Sequence, residues 1–514
     1  MWRFEAEKAA AIDKWLSGPA AGLAVALDAA GAVEEHDLFA DTDDRSFHRA
    51  GCALRVRRSE GRVEAAMVSL RPGPVATDPV QVPSQDPEGL RRAPDPLGTR
   101  VRAVAGPRPL RSVLILRTRR RRFSLRLHGR RRAELEIEEI AARRPDGPPT
   151  ASWACALLTA NEPEDRAVAG LASAMETEFG LAPAGETAFE TALARLGIDL
   201  PMPPVSGAVS TIAEASVGAL AYAVLRRHLG AFLANEPATR LGDDPEALHD
   251  MRVASRRLRA ALALFEEVLP ARARSFRRRL GRIGGALGEV RDLDVQLQQL
   301  DEFLRDAPAA ERLVMQTYLE TVAARRERAR RRMLLVLDSP GYARLAASLR
   351  AFVEREPARR RLEACRPALA AAPDMILRRY RKVRRIGDRL APVSPAADWH
   401  ALRIASKRLR YALEFHAELY GKEASLMIDA LVDLQDLLGL HQDAQVAMAH
   451  LEDICGPRGR RLARGAAFAM GRVAQRYAQR AEDLRGSFPR IYRGIRGKRW
   501  RRLREAMEAA RPHA

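Results

Sequence analysis

Two different periods of apolar and polar residues divide the chain. In the first 150 residues apolar and charged side chains alternate in CALRVRR (52–58), RSVLILRTRRRRFSLRL (111–127) and AELEIEE (133–139). That is the period of strands with one buried face. Gly/Pro-rich stretches at 71–89 and 143–149 interrupt them. A helix is predicted over 162–180, and the Pro-rich LGIDLPMPPVSGAV (196–209) reads as a linker. From about Ser210 the pattern changes to long amphipathic helices with short breaks, such as TIAEASVGALAYAVLRRHLGAFLA (211–234) and LVMQTYLETVAARRERARRRMLLVL (313–337).

Within the helical region a single segment occurs twice. HDMRVASRRLRAAL starts at His249 and HALRIASKRLRYAL at His400, with nine of fourteen positions identical. A second pair, LGEVRDLDVQ from Leu287 and LGLHQDAQVA from Leu438, has the same 151-residue offset. A repeat of this length reads as a duplicated helical bundle, two halves about a pseudo-twofold axis.

Charge sharpens this division. The net charge is +21 and the pI about 10.7, which points to a polyanionic partner. The first 200 residues hold 29 basic and 29 acidic groups, leaving 58 and 37 for the remainder, so the whole excess lies in the repeat-bearing region. Four scattered cysteines without CxxC spacing argue against a zinc site or disulfide framework and fit a reducing cytoplasm. The nearest approach to an apolar leader, GLAVALDAAGAV (22–33), contains Asp28 and is too short to span a bilayer, so no membrane association is expected.

On a helix, His249, Arg252, Arg256 and Arg259 share one face, with Leu258, Leu262 and Phe265 opposite. The second copy aligns His400, Arg403, Lys407 and Arg410, with Leu409, Leu413 and Phe415 on its apolar side. Like charges at this spacing repel by a few tenths of a kcal/mol per pair. Arginine, with its planar and permanently charged fork, suits phosphate oxygens. Two such ridges facing each other would form a groove for a linear polyanion. Solvated helix faces are the plainer alternative, with Arg291, Asp292 and Asp294 as structural ion pairs, and with Asp292 and Asp443 as packing partners that orient arginines.

These motifs, over roughly 206–505, resemble the CHAD domain family. The resemblance implies two helical bundles with pseudo-twofold symmetry (about 210–350 and 365–505), a central basic groove, and binding of inorganic polyphosphate, often at polyphosphate granules. The positions it implies are His249, Arg252, Arg256, Arg257 and Arg259, with His400, Arg403, Lys407, Arg408 and Arg410. The second motif is weaker in its second copy, where Gln442 stands for Arg291 and Gln445 for Asp294.

The N-terminal region is similar to the CYTH family, on FEAEK (4–8) and LFADTDDRSFHRAGCALRVRRSEGRVEAAMVSL (38–70). This implies an antiparallel β-tunnel over 1–198, holding triphosphate with Lys/Arg and Mg²⁺ or Mn²⁺ with Glu/Asp. The overall expectation is an α+β multidomain chain: a CYTH-like tunnel, a linker at 199–209, and an all-α CHAD-like domain at 210–505. The tunnel's expected phosphate-side cations are Arg55, Arg57, Arg71, Arg117 and Arg119. Its residual metal or catalytic carboxylates are Glu5, Glu7 and Glu138. The family's ExExK departs here to Ala9 at its third position, and its last-strand glutamates are replaced by SWACALL, with Ser152, Ala154 and Ala156 expected to face inward. Hard divalent cations need several oxygen ligands, so no cofactor is expected, and Mg²⁺ or Mn²⁺ enters only if the tunnel is active.

Three functions follow. The first is a cytoplasmic polyphosphate-binding protein with a degenerate tunnel. The second is a metal-dependent inorganic triphosphatase served by a substrate-binding helical domain. The third is non-specific nucleic-acid binding at low salt. Against the third, aromatics are 5% of residues and Tyr411 is the lone aromatic on the basic ridges.

Overall fold

The computed structural model describes residues 2–7, 12, 25–70, 77–127, 130–162, 165–177, 181–183, 187–198, 216–305, 309–355, 362–455 and 464–511. The expected linker at 199–209 lies outside them. The chain forms two compact units, residues 1–202 with 237–244 and residues 203–236 with 245–514.

The first unit is a nine-stranded antiparallel sheet. Its strands are β1 (Trp2–Ala6), β2 (Val25–Thr42), β3 (Cys52–Ser59), β4 (Arg62–Ser69), β5 (Val80–Gln81), β6 (Leu110–Leu127), β7 (Arg130–Arg144), β8 (Gly147–Ala160) and β9 (Ala182–Pro183). The order is β5-β4-β3-β2-β6-β7-β8-β1-β9. No pairing among the described residues joins the β5 edge to the β9 edge, so the sheet is open where the sequence led us to expect a closed tunnel. The basic run on β6 is matched by the acidic run on β7. Arg119, Arg120 and Arg122 lie opposite Glu139, Glu138 and Glu136, and opposite charges on facing strands contribute about 0.2–1 kcal/mol each.

Strand alternation gives the sheet two distinct faces. Leu54, Val56 and Met67 pack with Leu97, Val101 and Val104 of α2 (Leu97–Ala105), which follows the short α1 (Ser46–Arg49). Leu135, Ile137, Ala154 and Ala156 pack with Val168, Leu171 and Met175 of α3 (Arg166–Thr177). On the other face Phe39, Leu116, Ile140 and Trp153 meet Phe189 and Leu193 of α4 (Ala188–Arg195). The register pairs Glu138 with Cys155 and Ile140 with Trp153. Trp153, Cys155 and Leu157 of β8 therefore share the face of Glu138. Ser152, Ala154 and Ala156, expected to face inward, lie on the other face, and the alanines sit in the core with α3.

The second unit is all helical: α5 (Val217–Ala234), α6 (Glu236–Leu241), α7 (Pro245–Leu264), α8 (Ala273–Arg305), α9 (Ala309–Asp338), α10 (Pro340–Val353), α11 (Leu362–Cys365), α12 (Ala368–Gly387), α13 (Ala396–Phe415), α14 (Ala417–Cys455), α15 (Arg464–Arg496) and α16 (Lys498–Ala509). Most residues of α6 group with the sheet unit. Helix α14 is broken at Gly421, whose φ of 49° is easy for glycine alone. The two copies of the repeated segment are α7 and α13. Their buried positions agree at the 151-residue offset: Leu248 with Trp399, Met251 with Leu402, Ser255 with Ser406, Leu258 with Leu409 and Leu262 with Leu413. The apolar stripe read from the sequence is thus the core face of both helices. No helix among the described residues is long and apolar enough to cross a membrane.

Candidate anion-binding cavity

The helical unit carries a half-open cavity of about 880 Å³. Helix α7 supplies His249, Arg252 and Arg256, and α13 supplies Arg403. Helices α8 and α14, which carry the second repeated motif, add Glu289, Arg291, Asp292 and Leu300, and Gln442, Asp443, Val446 and Leu451. Helix α9 contributes Arg325, Arg328 and Arg332, and α15 contributes Val473 and Tyr477.

The cations at the α7–α13 junction are crowded and poorly neutralised. Arg252 meets Asp292 at 3.3 Å, but Asp292 is 73% exposed and screened by solvent. Arg256, Arg403 and Lys407 have no ion-pair partner among the described residues, and the buried Nε of Arg256 and of Arg403 lacks any hydrogen-bond partner. Burial, and then Arg403, Arg256, Arg252 and Arg410, pull Lys407 from the ordinary lysine value down to about 7. Burial also lowers Arg403, an effect offset by Asp443 and deepened by Arg256 and Arg252. The His249 imidazole is lowered by burial and by Arg291. Every one of these shifts means that the site disfavours its own positive charge, a condition an incoming anion relieves.

Carboxylates nearby do not cancel the excess. Burial raises Asp443, Arg403 and Lys407 oppose this, and Asp292 adds to it. Arg332 is paired with Glu289, and Arg291 meets Glu246 at 3.3 Å. Arg325 and Arg328 have no ion-pair partner among the described residues.

The residues expected to form the two ridges are distributed as follows. His249, Arg252, Arg256 and Arg403 reach the cavity wall. His400 bonds through Nδ1 to Oε1 of Gln442 at 2.9 Å, beside the cavity. Lys407, one turn along α13 from Arg403, is not part of the cavity lining. Arg257 and Arg410 turn instead to Glu414, at 3.2 and 3.4 Å, linking α7 to α13. Arg408 neighbours the half-buried Arg379 on α12. Arg259 is exposed on the side of Gly281 and Gly284 of α8. The ridge as read on a helical wheel therefore splits: its N-terminal half faces the cavity and its C-terminal half braces the bundle.

Sequence reasoning missed the α9 ridge, although ARRERARRRM carried its signal. Arg325, Arg328 and Arg332 are spaced i, i+3, i+7 and so share one helix face.

The sheet unit gathers a different set. On the face shared with α4, Arg57 bonds Asp37 at 2.7 and 2.8 Å and Glu35 at 2.8 Å. Arg120 bonds Glu138 at 2.6 Å and Glu35 at 3.2 Å. Arg55, half-buried on the same face, is lowered first by burial and then by Arg57. Arg117 and Arg119, expected to point inward with Arg55 and Arg57, sit in register with His36 and Glu34 on the opposite face, where Arg117 pairs with Glu34. A one-residue parity difference puts Arg120 in their place. Arg71 lies outside the described residues. Glu5 is paired with Arg195, Glu7 is exposed, and Glu138 is held by Arg120. Glu5 and Glu138 flank Cys155 from β1 and β7, two strand spacings or about 10 Å apart. These three carboxylates thus do not form a cation-binding set.

Comparison with known proteins bears on the helical unit. Residues 223–452 match the family model of the CHAD domain, a match that does not extend into the nine-stranded sheet. Two uncharacterised proteins of Mycobacterium tuberculosis, from strains CDC 1551 and H37Rv, are each 29% identical over 215 residues, 41% of this chain and 40% of theirs. The chain thus matches about two fifths of the length of these relatives. The crystal structure of the CHAD domain from the plant Ricinus communis is 30% identical, covering 58% of this chain and 97% of that one, at a TM-score of 0.47. PptA from Streptomyces chartreusis is 20% identical, covering 54% and 100%, at a TM-score of 0.45.

Proposed function

From the premise that this chain carries a CHAD domain, we propose that it binds inorganic polyphosphate in the cavity of its helical unit, at polyphosphate granules in the cytoplasm. The observation that carries this reading is the convergence of Arg252, Arg256, Arg403 and Lys407 from α7 and α13, three of them without an ion-pair partner among the described residues. The matching burial of the two helices at a constant offset supports a duplicated bundle with pseudo-twofold symmetry. Duplication then has a physical purpose, because each copy supplies one cationic wall. A linear chain of phosphates offers successive oxygens to forks spaced about one helical turn apart.

We read the sheet unit, residues 1–198, as a degenerate relative of the CYTH tunnel. Its charged cluster supports this: Arg55, Arg57 and Arg120 are balanced by Glu35, Asp37 and Glu138, so the face carries little charge with which to hold a triphosphate. A metal-dependent triphosphatase needs free carboxylates, and Glu5 and Glu138 are each engaged by an arginine.

The experiment is titration of the full chain with long-chain polyphosphate, tripolyphosphate and duplex DNA at about 150 mM salt, where charges are screened beyond roughly 8 Å, with phosphate release followed under added Mg²⁺ or Mn²⁺. Selective polyphosphate binding without release is expected. Equal affinity for DNA would reduce the site to a general basic surface. Metal-dependent release abolished by Glu5→Ala would make the chain a triphosphatase.

A further inference from the structure

The cavity does not account for most of the chain's charge. Residues 378–389 hold seven cations and one carboxylate, and residues 490–504 hold eight cations and no carboxylate. These two segments thus carry +14 of the chain's +21. Three contacts bring them together. The rings of Tyr380 on α12 and Trp500 on α16 stack with their centroids 3.4 Å apart. The Tyr380 hydroxyl donates to the Ile495 carbonyl of α15 at 3.4 Å. Asp388, the single carboxylate, accepts from the Tyr492 hydroxyl at 2.9 Å and pairs with Arg384 at 2.9 Å and Arg496 at 3.5 Å. Its charge is therefore engaged within the joint. Arg381 and Arg385 on α12, Arg389 just beyond it, and Lys498, Arg501 and Arg502 on α16 are exposed and have no ion-pair partner among the described residues. None of these six lines the cavity.

We propose that this corner of the helical unit binds the sugar–phosphate backbone of a nucleic-acid duplex, without regard to sequence. Like charges so close together repel, and a duplex offers one phosphate charge per about 1.7 Å of its axis. The apolar groups of both segments turn inward: Tyr380, Tyr492 and Trp500 are buried, and Ile386 and Ile491 pack on the core. The surface therefore presents no ring on which an unpaired base could stack and no apolar face to enter a lipid layer. What it offers is charge, and contact by charge alone is how a duplex is held without reading its bases. The corner and the cavity are separate, so either site can exist without the other.

The test is titration of a fluorescein-labelled, mixed-sequence DNA duplex of about 20 base pairs with the full chain, followed by anisotropy between about 50 and 200 mM salt. Arg381→Ala/Arg385→Ala/Arg501→Ala/Arg502→Ala should weaken duplex binding more than about tenfold at about 100 mM salt, and make the slope of log K against log salt shallower by about 3, at about 0.9 per lost phosphate contact. Its affinity for long-chain polyphosphate should stay within about twofold, because these positions lie outside the cavity. Arg278→Ala/Arg282→Ala/Arg344→Ala/Arg350→Ala removes the same charge from α8 and α10 and should change the duplex slope by less than about 1. All eight positions are exposed, so the fold is retained in both variants. Equal effects of the two variants on the duplex, or no effect of the first, would overturn the inference. So would a first variant that loses only its binding to vesicles containing phosphatidylserine, which would place a membrane on this corner instead.

Discussion

On the proposed function, Lys407 makes the binding of polyphosphate a proton-coupled event. It sits among Arg403 and Arg410 of its own helix, Arg252 and Arg256 of α7, and Asp443 of α14, and titrates at about 7 in place of 10.5. In the free protein at pH 7 it is therefore about half neutral. Phosphate oxygens nearby favour the ammonium and return its pKa toward the ordinary value. The bound state then holds more protons than the free state above pH 7, and affinity must fall as pH rises. With a free value of 7 and a bound value of 10.5, affinity drops roughly fiftyfold between pH 7 and pH 9, close to one proton taken up per site. Long-chain polyphosphate at constant ionic strength keeps the titration of chain ends negligible. His249, lowered from 6.5, titrates below this window. Lys407→Arg should flatten the profile and keep the affinity of pH 7, because guanidinium stays charged throughout. Calorimetry in buffers of different ionisation enthalpy counts the protons directly. A wild-type affinity unchanged from pH 7 to 9, with no proton uptake, would refute the reasoning.

Other consequences can be measured independently. Lys407→Met should raise the melting temperature at pH 7 while weakening polyphosphate binding: the folded state depresses this lysine, so the charge opposes folding below the unfolded pKa, and the penalty fades as pH climbs from 7 to 10.5. Arg120→Ala leaves Glu138 buried without its cation and Glu35 with Arg57 alone, so it should destabilise the sheet unit by about 3 kcal/mol in urea denaturation without altering polyphosphate affinity. Gly387→Ala would place a methyl group within 2.4–2.5 Å of the Tyr492 ring, and overpacking of that kind costs about 1–3 kcal/mol; an unchanged unfolding midpoint would contradict the packing of α12 on α15.

The helical wheel located the two ridges, and their buried faces follow the 3.6-residue period through Leu258, Leu262, Leu409 and Leu413. What it could not supply was tertiary context. Whether Arg257 or Arg256 meets the cavity depends on where Glu414 stands, and Glu414 belongs to the other copy of the repeat. The α9 ridge was legible in the spacing of Arg325, Arg328 and Arg332, but the helical period alone does not say which neighbour those arginines face. In the sheet, alternation gave strands in the right places. It did not give parity across a run of four arginines, where every second residue is again arginine and Arg117, Arg119 and Arg120 look alike. Only the pairing of Glu138 with Arg120 and of Asp37 with Leu116 decides which of them turns toward Asp37. His416, a residue that the wheel passed over in favour of Phe415, is buried and drawn by desolvation to about 4, so it occupies the core as a neutral ring.

The central claim is that two copies of one helix form the walls of a single site. It is tested most directly by comparing Arg252→Ala/Arg403→Ala, one residue from each wall, with Arg381→Ala/Arg501→Ala, two exposed arginines outside the cavity that remove the same charge. Titrated with long-chain polyphosphate at fixed salt, the wall pair should lose more than tenfold in affinity and the outer pair no more than about twofold, since each direct charge-assisted hydrogen bond contributes about 1.5–3 kcal/mol. Equal losses in the two variants would show that polyphosphate is held by a diffuse positive surface and that the repeated helix builds no site.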